Sequence, residues 1–539
     1  MVVTNGEGTP PPAPPLTSTW QEIVQKKRAI RDAALQPYLS TTTTTTKPDD
    51  HEDESSITEI SDIDVLAAKM ASGELSAREV IEAYTNCLTE ILFPSALARA
   101  TELDAYYSTH GRTIGPLHGV PVTLKDQFDV RGVDSTIGYV GRAFQPARAD
   151  AVVVQILKRL GAVILAKTNL PQSIMWCETE NPLWGLTTNP RDATFTPGGS
   201  TGGEGAVLAL HGSILGWGTD IGGSIRIPSL INGLYGFKPS SARFPYYGIP
   251  VSTEGQEHVS SAIGPMARSL STITSVTQAL LSAAPWELDP RVVPLPWRPA
   301  LYSEMAARPL VVGILWDDGI VKPHPPITRH LQRAVERIVA AGHEVVEWDA
   351  ALHRECVDIM DRFYTVDGGE DIRRAVQQAG EPFIPHVEAL VNRGPAVSVY
   401  EYWQLNKLKV DVQKRYLDKW NSIKAPRSGR AVDVLLMPTM PHVAVPHKSC
   451  RWVGYTKVWN VLDYTALALP VGQVSATEDT IVSSSSNQPY EPRNELDAWN
   501  WNLYNPDTMS GHPVGLQIVG RRFDEERVLG AAKVLESLL

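Results

Sequence analysis

The chain has 539 residues, 43% hydrophobic and 20% charged, with 49 lysines and arginines against 60 aspartates and glutamates. That is ordinary globular composition, which excludes a chain disordered throughout. The net charge of −11 excludes a general basic footprint for nucleic acid. At ~150 residues per domain the length suggests three or four domains, or one large core with a tail. Four widely spread cysteines, Cys87, Cys177, Cys356 and Cys450, form no C-x-x-C pair and argue for a reducing compartment rather than a disulfide scaffold or zinc cluster. No spacing among the 13 histidines suggests a metal. No run reaches the ~18 apolar residues that span a bilayer. The N-terminus lacks the basic and apolar regions of a signal peptide, and Ser537-Leu538-Leu539 only faintly echoes a peroxisomal address. The expectation is a soluble, cytoplasmic protein with no membrane partner.

Residues 1–55 read as an N-terminal arm. Its start is Pro/Gly/Thr-rich, Ser18 to Leu35 carries a helical pattern stopped by Pro37, and a threonine run with an acidic stretch forms a low-complexity linker. Residues 56–539 read as the main domain. Ser61 with Asp64, and Ser76 with Glu79, fit Ser-x-x-acid helix starts on either side of Gly73. From Pro116 strand and helix patterns alternate. Val120, Val122 and Leu124 fit a strand, Asp150 caps a helix running to Leu160, Gly161 ends it, and Ala162 to Ala166 form a buried strand. The unit repeats at Pro309 to Leu315, Ile327 to Ala341 and His343 to Trp348. This alternation predicts an α/β fold, helices packed on a parallel or mixed sheet. Val474 to Asp507, polar and without periodicity, reads as a surface loop.

Chemistry concentrates in two glycine-rich stretches, Pro197-Gly198-Gly199-Ser200-Thr201-Gly202-Gly203-Glu204 and Gly218-Thr219-Asp220-Ile221-Gly222-Gly223-Ser224-Ile225-Arg226. Glycine lets a substrate approach the backbone closely, and consecutive amides in such a loop can hold a developing oxyanion. Neither loop supplies the G-x-x-x-x-G-K-[ST] of a phosphate loop, although plain turn formation accounts for the glycines as well. A serine needs a base to act as a nucleophile. Lys125, at the end of an apolar strand, fits if burial lowers its pKa; a surface pair with Asp126 is the plainer reading, and Lys167 is a rival.

Together, Lys125 in a strand, Gly198-Gly199-Ser200-Thr201-Gly202-Gly203 and Thr219-Asp220-Ile221-Gly222-Gly223-Ser224-Ile225-Arg226 resemble the amidase signature family. The likeness runs through Thr168 to Ser173, Gly236-Phe237-Lys238-Pro239 and Gly264-Pro265-Met266 to Gly511-His512-Pro513-Val514-Gly515-Leu516-Gln517. Met175 to Pro182 and the N-terminal helix look most like fungal acetamidase-type enzymes. The resemblance implies a mixed central sheet covered by helices on both faces, and a Ser–Ser–Lys triad. In it Ser224 is the acylated nucleophile, Ser200 (after a cis peptide bond) the bridge, and Lys125 the base. It further implies an oxyanion hole from the amides of Ile221, Gly222, Gly223 and Ser224, and an acyl pocket lined by Ile174 and Met175. Asp220 and Arg226 would hold the nucleophile loop, with Thr201 as support for the relay. The implied reaction is hydrolysis of a small-molecule carboxylic amide, a short aliphatic one such as acetamide, without metal or cofactor; a homodimer is left open. One departure is a shortened helix between Ser76 and Asn86, where the family has a longer helix and connector.

Three rival readings stand beside this one. Gly198-x-Ser200-x-Gly202 also fits the G-x-S-x-G of an α/β-hydrolase-like esterase, with Asp463 and His512 following in order. A non-catalytic amide-binding relative is the second. A transamidation subunit acting on charged tRNA is the third, disfavoured by the acidic balance. Trp176, Trp184 and Trp217 fit an aromatic pocket or the core equally well.

Overall fold

The computed structural model describes residues 18–39, 69, 88–479 and 490–539. Among these, the strands in chain order are β1 (Pro121–Lys125), β2 (Val163–Thr168), a small hairpin of β3 (Glu180–Asn181) and β4 (Gly185–Leu186), β5 (Leu215–Asp220), β6 (Tyr235–Lys238), β7 (Ala262–Ala267), β8 (Val311–Ile314), β9 (Glu344–Glu347), β10 (Val434–Pro438), β11 (Ala466–Gln473) and β12 (Pro513–Val519). All but the hairpin join one mixed sheet in the order β2-β1-β5-β7-β6-β11-β12-β10-β8-β9. Pairing is parallel at both ends of the sheet, β2/β1/β5 and β10/β8/β9, and antiparallel through the middle.

Strand side chains alternate between faces, and here both faces are dry. In β10, Val434 and Leu436 join one core with Ile327, Leu331 and Ile338 of the helix Pro325–Ala340. Leu435 and Met437 of the same strand join a second core with Val412, Tyr416 and Trp420 of the helix Val399–Ser422 and Val458 of the helix Gly454–Val461. The sheet is thus the middle layer of three, as the alternating sequence pattern predicts. β1 is buried at every position rather than half-buried, because Val122 and Leu124 pack into a further core while Thr123 and Lys125 are enclosed from the other side.

Three local expectations are corrected. Asp150 does not cap a helix. Its carboxylate takes the Arg131 amide at 2.9 Å and pairs with Lys158 at 2.8 Å, and the helix Val152–Arg159 starts after Ala151. The first helix runs Trp20–Leu39 and carries Pro37 in its last turn, where a missing N–H costs a single intrahelical bond. The supposed loop Val474 to Asp507 contains the helix Glu495–Leu503, capped by Asn494 and anchored by buried Asp497, which accepts the Lys322 amide at 2.8 Å. The expected helices starting at Ser61 and Ser76, and the shortened segment before Asn86, lie outside the described residues.

The arm's helix packs against the body. Ile23 and Val24 join Val140, Leu183 and Trp184 in one cluster, and Lys27 reaches Glu90 and Asp134, each at 2.6 Å. Among the described residues no helix is long and apolar enough to cross a membrane.

Candidate active site

Parallel strands β1 and β5 lie side by side, Leu124 opposite Trp217, so their carboxyl ends open at the same edge. That edge is where open α/β sheets place their ligands. Lys125 ends β1 and Asp220 ends β5, and the two glycine loops meet there. Gly199 passes so close to the 178 backbone that a Cβ would sit 2.6 Å from Glu178 N and O, which explains glycine at that position. The Gly199–Ser200 peptide bond is cis. Gly223 is also constrained, with φ +133° and Thr456 Oγ1 where a side chain would go.

Lys125 is fully buried, and its Nζ lies 2.7 Å from Ser200 Oγ and 2.9 Å from Thr219 Oγ1. Thr219 in turn donates to Gln127 Oε1 at 2.7 Å. Burial pushes the lysine down to about 7, against the opposing pull of Asp220 and then Asp126. Neither carboxylate touches it. Asp126 takes the Thr136 hydroxyl at 2.9 Å and the Ile137 amide at 2.8 Å, so the surface pair with Lys125 does not form. Lys167, the rival, is bound to Asp134 O and Ser135 Oγ, away from both serines. Lys125 therefore holds a lone pair near neutral pH, beside a serine.

Solvent access rises step by step from Lys125 through Ser200, 1% exposed, to half-buried Ser224, which lines a cavity of about 280 Å³. The Ser224 carbonyl accepts the Thr201 amide at 3.2 Å, tying the loop of Ser224 to the residue after Ser200. Ile174, Met175, Trp176, Ile221 and Gly222 share this cavity wall. Ser173 (φ +65°) and Ile174 (φ +58°) are consecutive left-handed residues, and a β-branched residue there costs about 1–3 kcal/mol. Ser252 Oγ holds the Ser173 carbonyl at 2.7 Å, and the Ile137 carbonyl takes its amide at 3.0 Å.

The loop that carries Ser224 hangs on a buried ion pair. Arg226 Nη2 and Nε each lie 3.0 Å from an Asp220 oxygen, and both residues are fully buried. Burial alone would raise the Asp220 carboxyl, but the Arg226 guanidinium, then Lys238 and Asn460, hold it well below the usual carboxylate range. Asp220 also takes the Gly223 amide at 2.8 Å and the Ile225 amide at 3.2 Å. Gly223 is thus an anchor of the loop, while the amides of Ile221, Gly222 and Ser224 find no acceptor among the described residues. Asn460, Thr456 and Gln517 complete the frame around Arg226, at 2.8, 3.0 and 3.2 Å. Thr201 is buried and its hydroxyl points to Thr219 O at 3.4 Å rather than to either serine.

The esterase constellation does not assemble. Asp463 holds Ser241 and Arg522, while His512 packs on Phe195 with ring centres 4.8 Å apart. Of the tryptophans, Trp217 is core and Trp184 sits under the arm's helix, whereas Trp176 lines the cavity, stacked on His386 at 4.3 Å. Sequence reading missed Gln127, Thr219, Asn460 and Tyr364, the last of which lines the cavity beside Gly222. The first two flank Lys125 and Asp220 in the same motifs, so they were within reach; Asn460, in the helix Gly454–Val461, and Tyr364, just past the helix His353–Phe363, come from remote segments with no local signal.

A family model described as Amidase matches residues 75–529. The chain belongs to the amidase signature family. Membership makes it a hydrolase of linear amide C–N bonds. It is similar to "Amidase 1" of Gibberella moniliformis, 54% identical over 97% of this chain and 99% of that one. It is also similar to the acetamidase of Emericella nidulans, 39% identical over 90% of each. Among solved structures, a fatty acid amide hydrolase superposes with a TM-score of 0.87 at 32% identity, covering 97% of this chain and 95% of that one.

Proposed function

We propose that this enzyme hydrolyses short aliphatic amides, acetamide among them, to carboxylate and ammonia through an acyl-enzyme on Ser224. The observation that carries the reading is Lys125, buried, pushed down to about 7 and 2.7 Å from Ser200 Oγ. The likeness to enzymes named acetamidase and the small cavity, at the low end for ligand sites, support the substrate size.

Neutral Lys125 takes the Ser200 proton as Ser200 takes that of Ser224, and Ser224 Oγ attacks the amide carbonyl. The unclaimed amides of Ile221, Gly222 and Ser224 receive the negative oxygen, each such donor contributing about 3 kcal/mol of barrier. The relay then reverses. Lys125, now an ammonium ion, returns the proton through Ser200 to the departing nitrogen, the C–N bond breaks, and ammonia leaves. Water enters, gives a proton to the same relay, and its oxygen displaces Ser224 to give the acid. Asp220 and Arg226 hold the loop in place and exchange no proton.

The test is ammonia release from aliphatic amides of two to twelve or so carbons and from benzamide, by wild type and Ser224→Ala side by side. Release from the short amides that Ser224→Ala abolishes is the expected result. Persistence in Ser224→Ala removes Ser224 as nucleophile, and preference for the long amides removes the substrate reading.

A further inference from the structure

The cavity in front of Ser224 holds more positive charge than the reaction above uses. Its charged lining residues are Asp361, Arg393, Arg451 and Lys457. Lys457 is buried, 2.6 Å from Asp361 and 5.2 Å from the centre of the Trp452 ring, so these two charges cancel. Arg393 and Arg451 are different. Both are exposed, and neither guanidinium has an ion-pair or hydrogen-bond partner among the described residues. Other arginines of the fold are gripped by carboxylates: Arg308 holds Asp433 with both nitrogens at 2.8 and 2.7 Å, and Arg493 holds Asp317 at 2.9 Å twice.

Arg451 is presented from a fixed base. The Cys450 amide donates to Glu178 Oε1 at 2.8 Å, and the Trp452 indole donates to Asp318 Oδ2 at 2.7 Å, so the backbone is pinned on both sides. Arg393 follows the helix Pro385–Val391, whose Leu390 also lines the cavity. Most of the remaining wall is apolar or aromatic, including Ile174, Ile227 and Trp452. Two unpaired forks over such a surface, in a chain of net charge −11, make a local trap for a planar anion.

We propose that this cavity selects amides carrying a carboxylate at the end remote from the scissile bond, half-amides of short dicarboxylic acids, with Arg393 and Arg451 as the residues that hold that carboxylate. The proposal rests on the reading of this cavity as the amide site. The reaction itself is unchanged: water adds across the C–N bond, and the products are a dicarboxylate and ammonia. A neutral amide of the same length leaves both guanidinium groups to water.

The test separates binding from chemistry by using the Ser224→Ala protein. Glutaramic acid, the half-amide, and glutaramide, its neutral counterpart of nearly equal shape, are titrated by calorimetry at low salt. The half-amide is expected to bind about tenfold tighter, the scale of one charge-assisted contact at a partly exposed site. In the same background, Arg393→Met with Arg451→Met brings the ratio to within about twofold of one, and Arg→Lys at both positions restores part of it, since charge survives but the fork does not. Thermal melting establishes that each variant is folded, as the exposure of both residues leads us to expect. Equal binding of the two ligands, or a preference that survives the double methionine variant, overturns the proposal. Hydrolysis is then measured in the Ser224 protein. A binding preference without hydrolysis refutes the amide-hydrolysis reading and leaves the anion site standing.

Discussion

Replacing Lys125 with methionine should move activity and stability in opposite directions. The side chain is fully buried and its only hydrogen-bond partners among the described residues are the Ser200 and Thr219 hydroxyls. A fall from 10.5 to about 7 corresponds to roughly 5 kcal/mol of disfavour for the ammonium form inside the fold. Between about pH 7 and 10.5 the unfolded chain binds this proton and the native protein does not, so stability rises with pH across that window; at and below pH 7 the full cost is present. Methionine removes the ionisable group at similar length. The two hydroxyls it orphans return about 1 kcal/mol each, leaving a net gain of roughly 3 kcal/mol at pH 7 that turns into a loss of roughly 2 kcal/mol by pH 10.5. Urea unfolding of both proteins at pH 6, 7, 9 and 10.5, fitted with a common slope, reads this directly. Amide hydrolysis by the variant should fall by about 10²- to 10⁴-fold, the worth of a positioned base. A methionine variant that is less stable at pH 7, or one that keeps its activity, refutes the reasoning.

Other outcomes follow from the same geometry. Glu204 is buried with only the Thr123 and Thr168 hydroxyls for partners among the described residues, and burial pushes it up to about 8. The native state keeps a proton that the unfolded chain loses above about pH 4.5, so stability falls as pH rises to 8. Glu204→Gln should flatten that limb in denaturant unfolding measured from pH 5 to 8. Arg226→Met leaves Asp220 charged and buried, and should cost about 3–5 kcal/mol in the same assay, with loss of hydrolysis. Below pH 7, kcat/KM of the wild type should fall about tenfold per pH unit as Lys125 protonates, then level off above pH 8, in initial-rate measurements. His512→Ala should retain most of its kcat, because His512 packs on Phe195 and not on Ser200.

Much of the site was legible because its residues lie in two short glycine-rich stretches and at one strand end. Lys125, Asp220 and Arg226 sit where the motif order implies, and the α/β alternation anticipated the sheet from β8 to β9 closely. Other parts were hidden for physical reasons. The helix Glu495–Leu503 buries polar Asp497 and Asn500 while its apolar Leu496, Trp499 and Leu503 stay half-buried, and its N-terminal part lies in a polar stretch. The Gly223 amide was expected to face substrate; only the folded loop reveals that the Asp220 carboxylate takes it. Arg393, Arg451, Tyr364 and Asn460 reach the cavity or the ion pair from segments more than a hundred residues downstream, and no spacing links such positions before the chain folds.

The central claim is that Ser224 becomes acylated with Lys125 as the distant base. Intact-mass and peptide-level mass spectrometry after reaction with an activated short-chain acyl donor tests it most directly, comparing wild type with Lys125→Met. One acyl group on Ser224, formed at a much reduced rate in Lys125→Met, is the expected result. Acyl label on Ser200 with none on Ser224, or an undiminished rate without Lys125, would contradict it.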